Sequence, residues 1–423
     1  MKVRIKHILI LALLLRLLLA PVVFHPDLRN HMDWGIRFFS YGPSKFYSPE
    51  SNVWNYTWPN QPPGTIIIFA IIRKIYELIF SLFWQINIYL PFFPSSIILL
   101  IENHLYSVLL KLPAIFADIG IAYLIYNFLI KLGYPKKAKL GAAMFLFNPV
   151  IWYNSSVWGQ TDSIINFFFL LALWFLFNNR PVFSLFSALL SVYVKVSLAI
   201  FFPIFLVLFL RRKFSLKQIG ISLFVSVSFF ALITLLFSYP KEPLMWLVNL
   251  YSKNVLTNQL QVITANAFNF WCIFEGVQPK PHSLFLGPLT YRDWGFVAFT
   301  AFYALFFYWV WKKPKETVVI WAMALVSFFS FMFLTNMHER YLYPLFPYLT
   351  ILAMQDKKIV PIFISVSFTH LLNLYHLWWV PKIEFLESVY SAFGSLLPRL
   401  LSLANLFLLF KIFVFWRKKF GKL

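Results

Sequence analysis

Six short polar runs break an otherwise apolar chain of 423 residues, and each carries groups that can do chemistry. The first is His25-Pro26-Asp27-Leu28-Arg29-Asn30-His31-Met32-Asp33-Trp34, and the second is Trp58-Pro59-Asn60-Gln61-Pro62-Pro63-Gly64. The third is Trp158-Gly159-Gln160-Thr161-Asp162, followed by Lys195, which stands alone. The last two are Asn266-Ala267-Phe268-Asn269-Phe270-Trp271 and His338-Glu339-Arg340-Tyr341. A carboxylate at a wet interface can act as a general base. Cations suit a phosphate. Aromatic rings beside amides suit the faces and hydroxyls of a sugar.

Each group also has a structural use. Asp27 can cap a helix. Trp34, Trp58 and Trp158 can belong to the aromatic belt of a membrane interface, and His338 and Arg340 can be interface anchors. Gln61-Pro62-Pro63-Gly64 can be a turn that starts a helix. Asp118 lies inside an apolar run, so it is expected to pair with a basic group such as Arg16 or to hydrogen-bond within a bundle. Asn55-Tyr56-Thr57 and Asn154-Ser155-Ser156 match a glycosylation sequon, a pattern common by chance.

The elements that must position these groups follow from composition. Hydrophobic residues make up 60% of the chain, charged residues only 12% and aromatics 21%, including 52 Phe. The mean hydropathy is +0.72. A soluble fold could not hide that much apolar surface. With one cysteine, Cys272, neither an intramolecular disulfide nor a cysteine-rich metal cluster is open to it. What remains is an all-α, polytopic transmembrane helical bundle.

Apolar runs occur at roughly 7–24, 112–132, 140–157, 162–178, 182–194, 196–210, 216–238, 294–311, 317–335, 341–354, 358–376 and 398–416, about twelve spans in one integral membrane domain. The first resembles a signal peptide but lacks a small-residue cleavage site and contains Arg16, so it reads as a retained span. Residues 25–111 read as a long first outer segment of interfacial amphipathic helices. The competing reading puts an extra pair of helices between 64 and 103. Further outer loops fall at 239–293 and 377–397. Alternating the spans makes every dense basic loop cytoplasmic: Lys136-Lys137-Lys139, Arg211-Arg212-Lys213-Lys217, Lys312-Lys313-Lys315, Lys357-Lys358 and Arg417-Lys418-Lys419-Lys422. The net charge of +22 is thus the positive-inside rule rather than a nucleic-acid footprint. Both termini fall in the cytoplasm, and all six polar runs fall on the outer face.

The ordered set of motifs resembles the GT-C class of polytopic glycosyltransferases, which use polyprenyl-phosphate-linked sugars. The likeness is nearest to bacterial and archaeal members and more distant to the eukaryotic dolichyl-phosphate-glucose-dependent glucosyltransferases. Asp27 with Trp34 seven residues on looks like the family's Gly-Asp motif, with Pro26 in place of Gly. Gly42-Pro43-Ser44-Lys45-Phe46-Tyr47 and Asn60-Gln61-Pro62-Pro63-Gly64 look like its Gly-Pro-x-x-Phe-Tyr … Asp-Tyr-Pro-Pro stretch, with Asn60 and Gln61 replacing Asp and Tyr. Asn148-Pro149 through Asp162 is similar to its Asn-Pro … Trp-Gly-Gln-x-Asp signature. His338-Glu339-Arg340-Tyr341 resembles its late His-Glu-Lys/Arg motif, and Asn266 to Trp271 a recurrent Asn-Ala-Phe-Asn-x-Trp patch. The matches span about residues 10–345.

The resemblance implies transfer of a hexose, mannose first and glucose second, from a polyprenyl- or dolichyl-phosphate donor, with inversion. The acceptor would be a lipid-linked glycan, a lipid or a protein. Asp27 would be the base, with Asp33 as the alternative. His338 and Arg340 would hold the phosphate, and Lys195 and Arg16 are further candidate cations. Trp34, Gln61, Trp158, Gln160, Asp162, Asn266, Asn269 and Glu339 would shape the sugar or acceptor pocket. No Asp-x-Asp and no His-Glu-x-x-His occurs, so neither a catalytic metal nor another cofactor is expected. The rival from another class is a secondary transporter or lipid flippase. It would show two similar halves and interrupted helices meeting at the midplane.

Overall fold

In a bilayer, a backbone satisfies its polar groups internally by becoming helical. The computed structural model, which describes residues 4–51, 59–255 and 260–420, is almost entirely helix. Trp58 and the Asn55-Tyr56-Thr57 sequon lie outside the described residues. Among those described, six helices are long and apolar enough to cross a membrane: Ser96–Lys131, Leu216–Ser238, Tyr291–Lys312, Glu316–Phe333, Lys357–Tyr375 and Leu396–Phe420. Shorter apolar helices, Asp162–Phe177, Pro181–Val194, Val196–Arg211 and Leu345–Gln355, pack among them.

All twelve apolar runs therefore contain helix, but among the described residues only six helices are both long and apolar enough to cross a membrane. The first run is a helix of 15 residues, Ile5–Leu19. The run at 140–157 is broken by Pro149, which disfavours helix at the residue before it. Asn148 is extended there, and its side chain accepts the Val150 N–H at 3.1 Å. The helix Pro135–Leu146 ends before this break, and Pro149–Trp152 leads into a wide turn at Tyr153–Trp158. Asn154, the second sequon's asparagine, is buried in that turn and is no glycosylation acceptor in this fold.

The first outer segment needs correction. Pro26–Tyr41 is the amphipathic helix expected there. Residues 64–103, however, hold neither interfacial helices alone nor an extra pair: they form one helix and the start of a second that runs on through the span expected at 112–132. Pro63–Tyr89 is a single helix of 27 residues, with an Arg73–Glu77 ion pair at 2.9 Å on its flank. Ser96–Lys131 runs for 36 residues with no boundary at 111. At 1.5 Å per residue it is about 54 Å long, well beyond a bilayer core. The all-α expectation misses two small β contacts. Thr264–Ala265 pairs in parallel with Met337–His338, and Phe285–Leu286 pairs with Leu289–Thr290.

The long helix carries two fully buried charges on one face, Lys111 and Asp118, seven residues apart. Asp118 Oδ2 accepts from Arg16 Nε at 3.0 Å and from the Ser155 hydroxyl at 2.6 Å. Its Oδ1 accepts from the Ser163 hydroxyl at 2.6 Å and the Tyr343 hydroxyl at 2.7 Å. The other Arg16 nitrogens donate to the Ala12 and Leu146 carbonyls. Arg16 is thus consumed by the fold and is not a phosphate ligand. Two turns above, Lys111 Nζ donates to the carbonyls of Ala20, Val22, Ser156 and Val157.

Removing one partner of a buried pair strands the other charge, which costs about 3–5 kcal/mol. Asp118→Leu should therefore lower the thermal unfolding temperature of the detergent-solubilised protein. Adding Arg16→Met to it should restore part of the loss, because the stranded guanidinium goes with it. Additive losses in the double variant would show that the two residues do not act as a pair.

Candidate functional site

Pro26 opens the helix Pro26–Tyr41 at its first position, where its missing N–H costs nothing. His25 caps that helix, its Nδ1 accepting the Asp27 backbone N–H at 3.0 Å. Asp27 lies in the first turn, where the helix dipole favours a carboxylate. Its Oδ2 accepts from Gln160 Nε2 at 2.7 Å and stands 3.4 Å from Arg340 Nη2. Residues 133 and 313 positions away thus meet on one carboxylate oxygen.

Gln160 is aimed by the turn that precedes it. Gly159 has a left-handed φ of 84°, and a Cβ there would press on Lys111 and Leu28 at 3.1–3.2 Å. The Gln160 N–H then donates to the Asn154 carbonyl at 3.0 Å. Asp162 begins the next helix, and its Oδ1 takes Lys195 Nζ at 2.8 Å. Lys195 sits at an extended residue between two helices, so the break in the chain turns its amine towards Asp162. Pro62-Pro63-Gly64 starts a helix as well as making a turn. A Cβ on Gly64 would lie 2.7 Å from the Tyr193 carbonyl oxygen, and the Thr65 hydroxyl donates to Val194. Glycine therefore permits the close approach that sets Gln61 beside Lys195.

Arg340 is the hub. Its Nη1 reaches Glu339 Oε1 at 3.3 Å, and its Nε lies 4.0 Å from Asp162 Oδ2. Its guanidinium lies over the rings of Trp158, at 5.8 Å, and Tyr341, at 5.4 Å. Arg340 and Lys195 front a cavity of about 260 Å³, together with Gln61, Ser197, Asn336 and Tyr341. Buried atoms here lack hydrogen-bond partners among the described residues: Arg340 Nε, Asp162 Oδ2, Gln61 Oε1, Trp158 Nε1 and His25 Nε2. Unpaired buried polar atoms are costly, and two of these, Arg340 Nε and Gln61 Oε1, belong to residues that line the cavity, where a ligand could complete them.

The electrostatics separate the groups. Burial alone would raise the Asp27 carboxyl; the Arg340 guanidinium, with help from the Gln160 amide, outweighs it and holds Asp27 well below the usual carboxylate range. Asp27 is therefore ionised at neutral pH. Glu339 goes the other way: burial pushes it up to about 7, against the pull of Arg340. Burial takes His338 down to about 3, with Arg340 acting in the same direction. Burial thus favours the uncharged ring at His338, which leaves Arg340 and Lys195 as the cations that front the cavity. Burial likewise lowers His25 to about 3 and His31 to about 4.

The structure brings together Asp27, Gln160, Asp162, Lys195, Glu339 and Arg340, with Gln61 on the cavity wall and Trp158 beneath the guanidinium. Others lie elsewhere. Trp34 is buried against His31 and Phe69 in a separate apolar cluster. Asp33 is taken by Arg37, which also donates to the Ser51 carbonyl and so fastens the helix to the following turn. Asn269 caps the helix Phe270–Glu275. Asn266 Nδ2 donates to the His376 carbonyl at 3.1 Å, and its backbone bridges to His338. These two asparagines build the wall that carries His338 instead of lining the cavity. Sequence reasoning missed His25 and His31 as neighbours of the base. The signal was present, since His31 lies one helical turn beyond Asp27. It also missed Lys111, a lysine in the midst of an apolar run. Compared with family models and with curated proteins, the chain matches none.

Glu339 sets a pH dependence with a definite sign. The folded state keeps its proton up to about pH 7, whereas a free glutamate loses it near 4.5. The folded state binds more protons in that window, so this contribution is full below 4.5, declines with rising pH and is gone above about 7. The lowered histidines tilt stability the opposite way, so the difference between wild type and Glu339→Gln isolates the effect. Unfolding measured against pH should show the two alike below 4.5 and wild type losing stability relative to Glu339→Gln as the pH rises from 4.5 to 7. A constant difference across the window would contradict the assignment.

Proposed function

We propose that the chain is a membrane glycosyltransferase that moves a hexose from a polyprenyl- or dolichyl-phosphate donor to an acceptor hydroxyl, as its resemblance to the GT-C class implies. The observation that carries this reading is the Asp27 carboxylate held between Gln160 and Arg340. Gln160 holds it at 2.7 Å, and its partner Arg340, 3.4 Å away, fronts a cavity together with Lys195. Asp27 takes the acceptor's proton as the acceptor oxygen bonds to the anomeric carbon from the side opposite the phosphate. The bond from carbon to phosphate oxygen breaks, and the phosphate leaves with the electron pair. Arg340 and Lys195 meet the charge that develops on it. Gln160 and Arg340 fix the carboxylate, which is the positioning that in-line displacement needs.

A second cavity supports a lipid-linked donor. It measures about 560 Å³ and is almost wholly apolar, lined by Leu189, Val192, Tyr193, Phe230, Leu247 and Tyr251. Val192 and Tyr193 lie just before Lys195 in the chain, and Tyr251 just before Val255, which lines the polar cavity. A prenyl tail in this groove would bring its phosphate to Lys195. The proposed setting is a cell membrane in which the chain makes about twelve crossings, the shorter helices included. Both termini are cytoplasmic and the site faces outward, as the basic loops direct. Mannose is the first choice of sugar and glucose the second. The acceptor is a lipid-linked glycan, a lipid or a protein.

Asp27→Asn keeps the shape and removes the base. Transfer should fall about 10³-fold while donor binding persists, because general-base catalysis is worth roughly 10²–10⁴-fold. Turnover near wild type in a sugar-transfer assay would eliminate Asp27 as the base. Transfer should also survive EDTA; loss restored by Mg²⁺ or Mn²⁺ would refute a metal-free reaction.

A further inference from the structure

A third cavity, of about 460 Å³, lies between the segment 376–379, the helix Glu384–Phe393 and the start of Leu396–Phe420. The helix turns one stripe towards it: Glu387, Tyr390, Ser391 and Gly394, spaced i, i+3, i+4 and i+7. Three rings form a wall. Tyr390 stands 4.9 Å from His376 and 5.1 Å from Trp379, centre to centre, and its hydroxyl is anchored on the Leu372 carbonyl at 3.0 Å. Asn266 Nδ2 donates to the His376 carbonyl, so its Oδ1 is the acceptor facing His376 Nδ1 at 2.6 Å. His376 Nδ1 therefore carries the proton, and Nε2 keeps its lone pair. Glu387 Oε1 is buried, with no hydrogen-bond partner among the described residues. Gln278, Ser391 and Ser395 complete the polar lining.

The volume and the mix of rings with a few polar groups are those of a small-molecule site. Pyranose rings present apolar C–H faces to aromatic side chains and hydroxyls to carboxylates and amides. The cavity shares a wall with the site at Asp27. Trp378 lies against His25 with ring centres 4.0 Å apart and planes tilted by 57°, while the next residue, Trp379, lines the third cavity. Leu377 and Trp379 both have positive φ, 74° and 53°. That rare backbone for non-glycine residues sends successive side chains to opposite sides of the wall. The apolar groove is lined by quite different elements, 189–251, so donor and third cavity have separate approaches.

We propose that the cavity at Trp379, Tyr390 and Glu387 is a carbohydrate-binding subsite that holds a glycan portion of the acceptor beside the catalytic cavity. Its assignment to the acceptor rests on the transferase reading; its capacity to bind saccharide does not.

The test is equilibrium binding of mannobiose, maltose and lactose to the full chain in nanodiscs, without donor, followed by ligand-observed NMR and tryptophan fluorescence. At least one disaccharide should bind saturably. Glu387→Gln, which keeps the side chain's shape, and Trp379→Leu should each weaken it about tenfold, the effect of losing a hydrogen bond to a charged group or a ring contact. Asp27→Asn should leave the affinity unchanged. The proposal is overturned if none of the three sugars binds, if Glu387→Gln binds as wild type does, or if Asp27→Asn abolishes binding, which would place the sugar in the catalytic cavity. Saccharide binding without transfer would fail the transferase reading alone; transfer without saccharide binding would fail this subsite alone.

Discussion

The site depends on one buried carboxylate that does not belong to it. Asp118 accepts hydrogen bonds from Arg16, Ser155, Ser163 and Tyr343. Each of these lies a few residues from a segment with chemical potential. Arg16 precedes His25 and Asp27, Ser155 precedes Trp158 and Gln160, Ser163 follows Asp162, and Tyr343 follows Arg340. A charge in an apolar interior is tolerated only when its partners are fixed, so Asp118 draws four distant segments to one point. Lys111 repeats the device two turns up, drawing the carbonyls at 20, 22, 156 and 157 together. Above this double pin the functional side chains have little choice but to converge.

What converges is balanced in charge. Two cations, Arg340 and Lys195, face two carboxylates, Asp27 and Asp162, while burial favours the neutral forms of Glu339 and the three neighbouring histidines. Arg340 faces both acids, and its Nε, 4.0 Å from Asp162 Oδ2, makes no hydrogen bond among the described residues. An incoming dianion can therefore be met without breaking the contacts that orient Asp27. The wall at 376–379 divides this charged enclosure from an aromatic one, and the apolar groove opens elsewhere. Three cavities of different chemistry thus lie in separate parts of the fold, the charged one fronted by Arg340 and Lys195.

Much of this was legible in the residues. The ordered polar runs placed Asp27, Gln160, Asp162, Lys195 and Arg340 on one side of the bundle, and the structure joins them. The pairing of Arg16 with Asp118 follows from the cost of a lone charge in an apolar run, although the same residue type also suits a phosphate. Sequence shows that a buried cation needs a partner, not which partner it takes. The helix from 96 was hidden because Glu102, Asn103 and His104 interrupt its apolar pattern, though helical hydrogen bonding continues through them. Asn266 and Asn269 look like ligand amides by type and act as hinges of the wall, because an amide serves a backbone as readily as a sugar. The pairing of Thr264–Ala265 with Met337–His338 has no periodic trace at two residues a strand.

The most direct measurement is to give the purified protein a panel of radiolabelled polyprenyl-phosphate sugars with a membrane lipid extract and to determine where the label goes and with which anomeric configuration. The account predicts that label from one donor passes to an acceptor in the extract with its configuration inverted. Label that stays on every donor, or a donor carried across a sealed vesicle without any transfer, would contradict it.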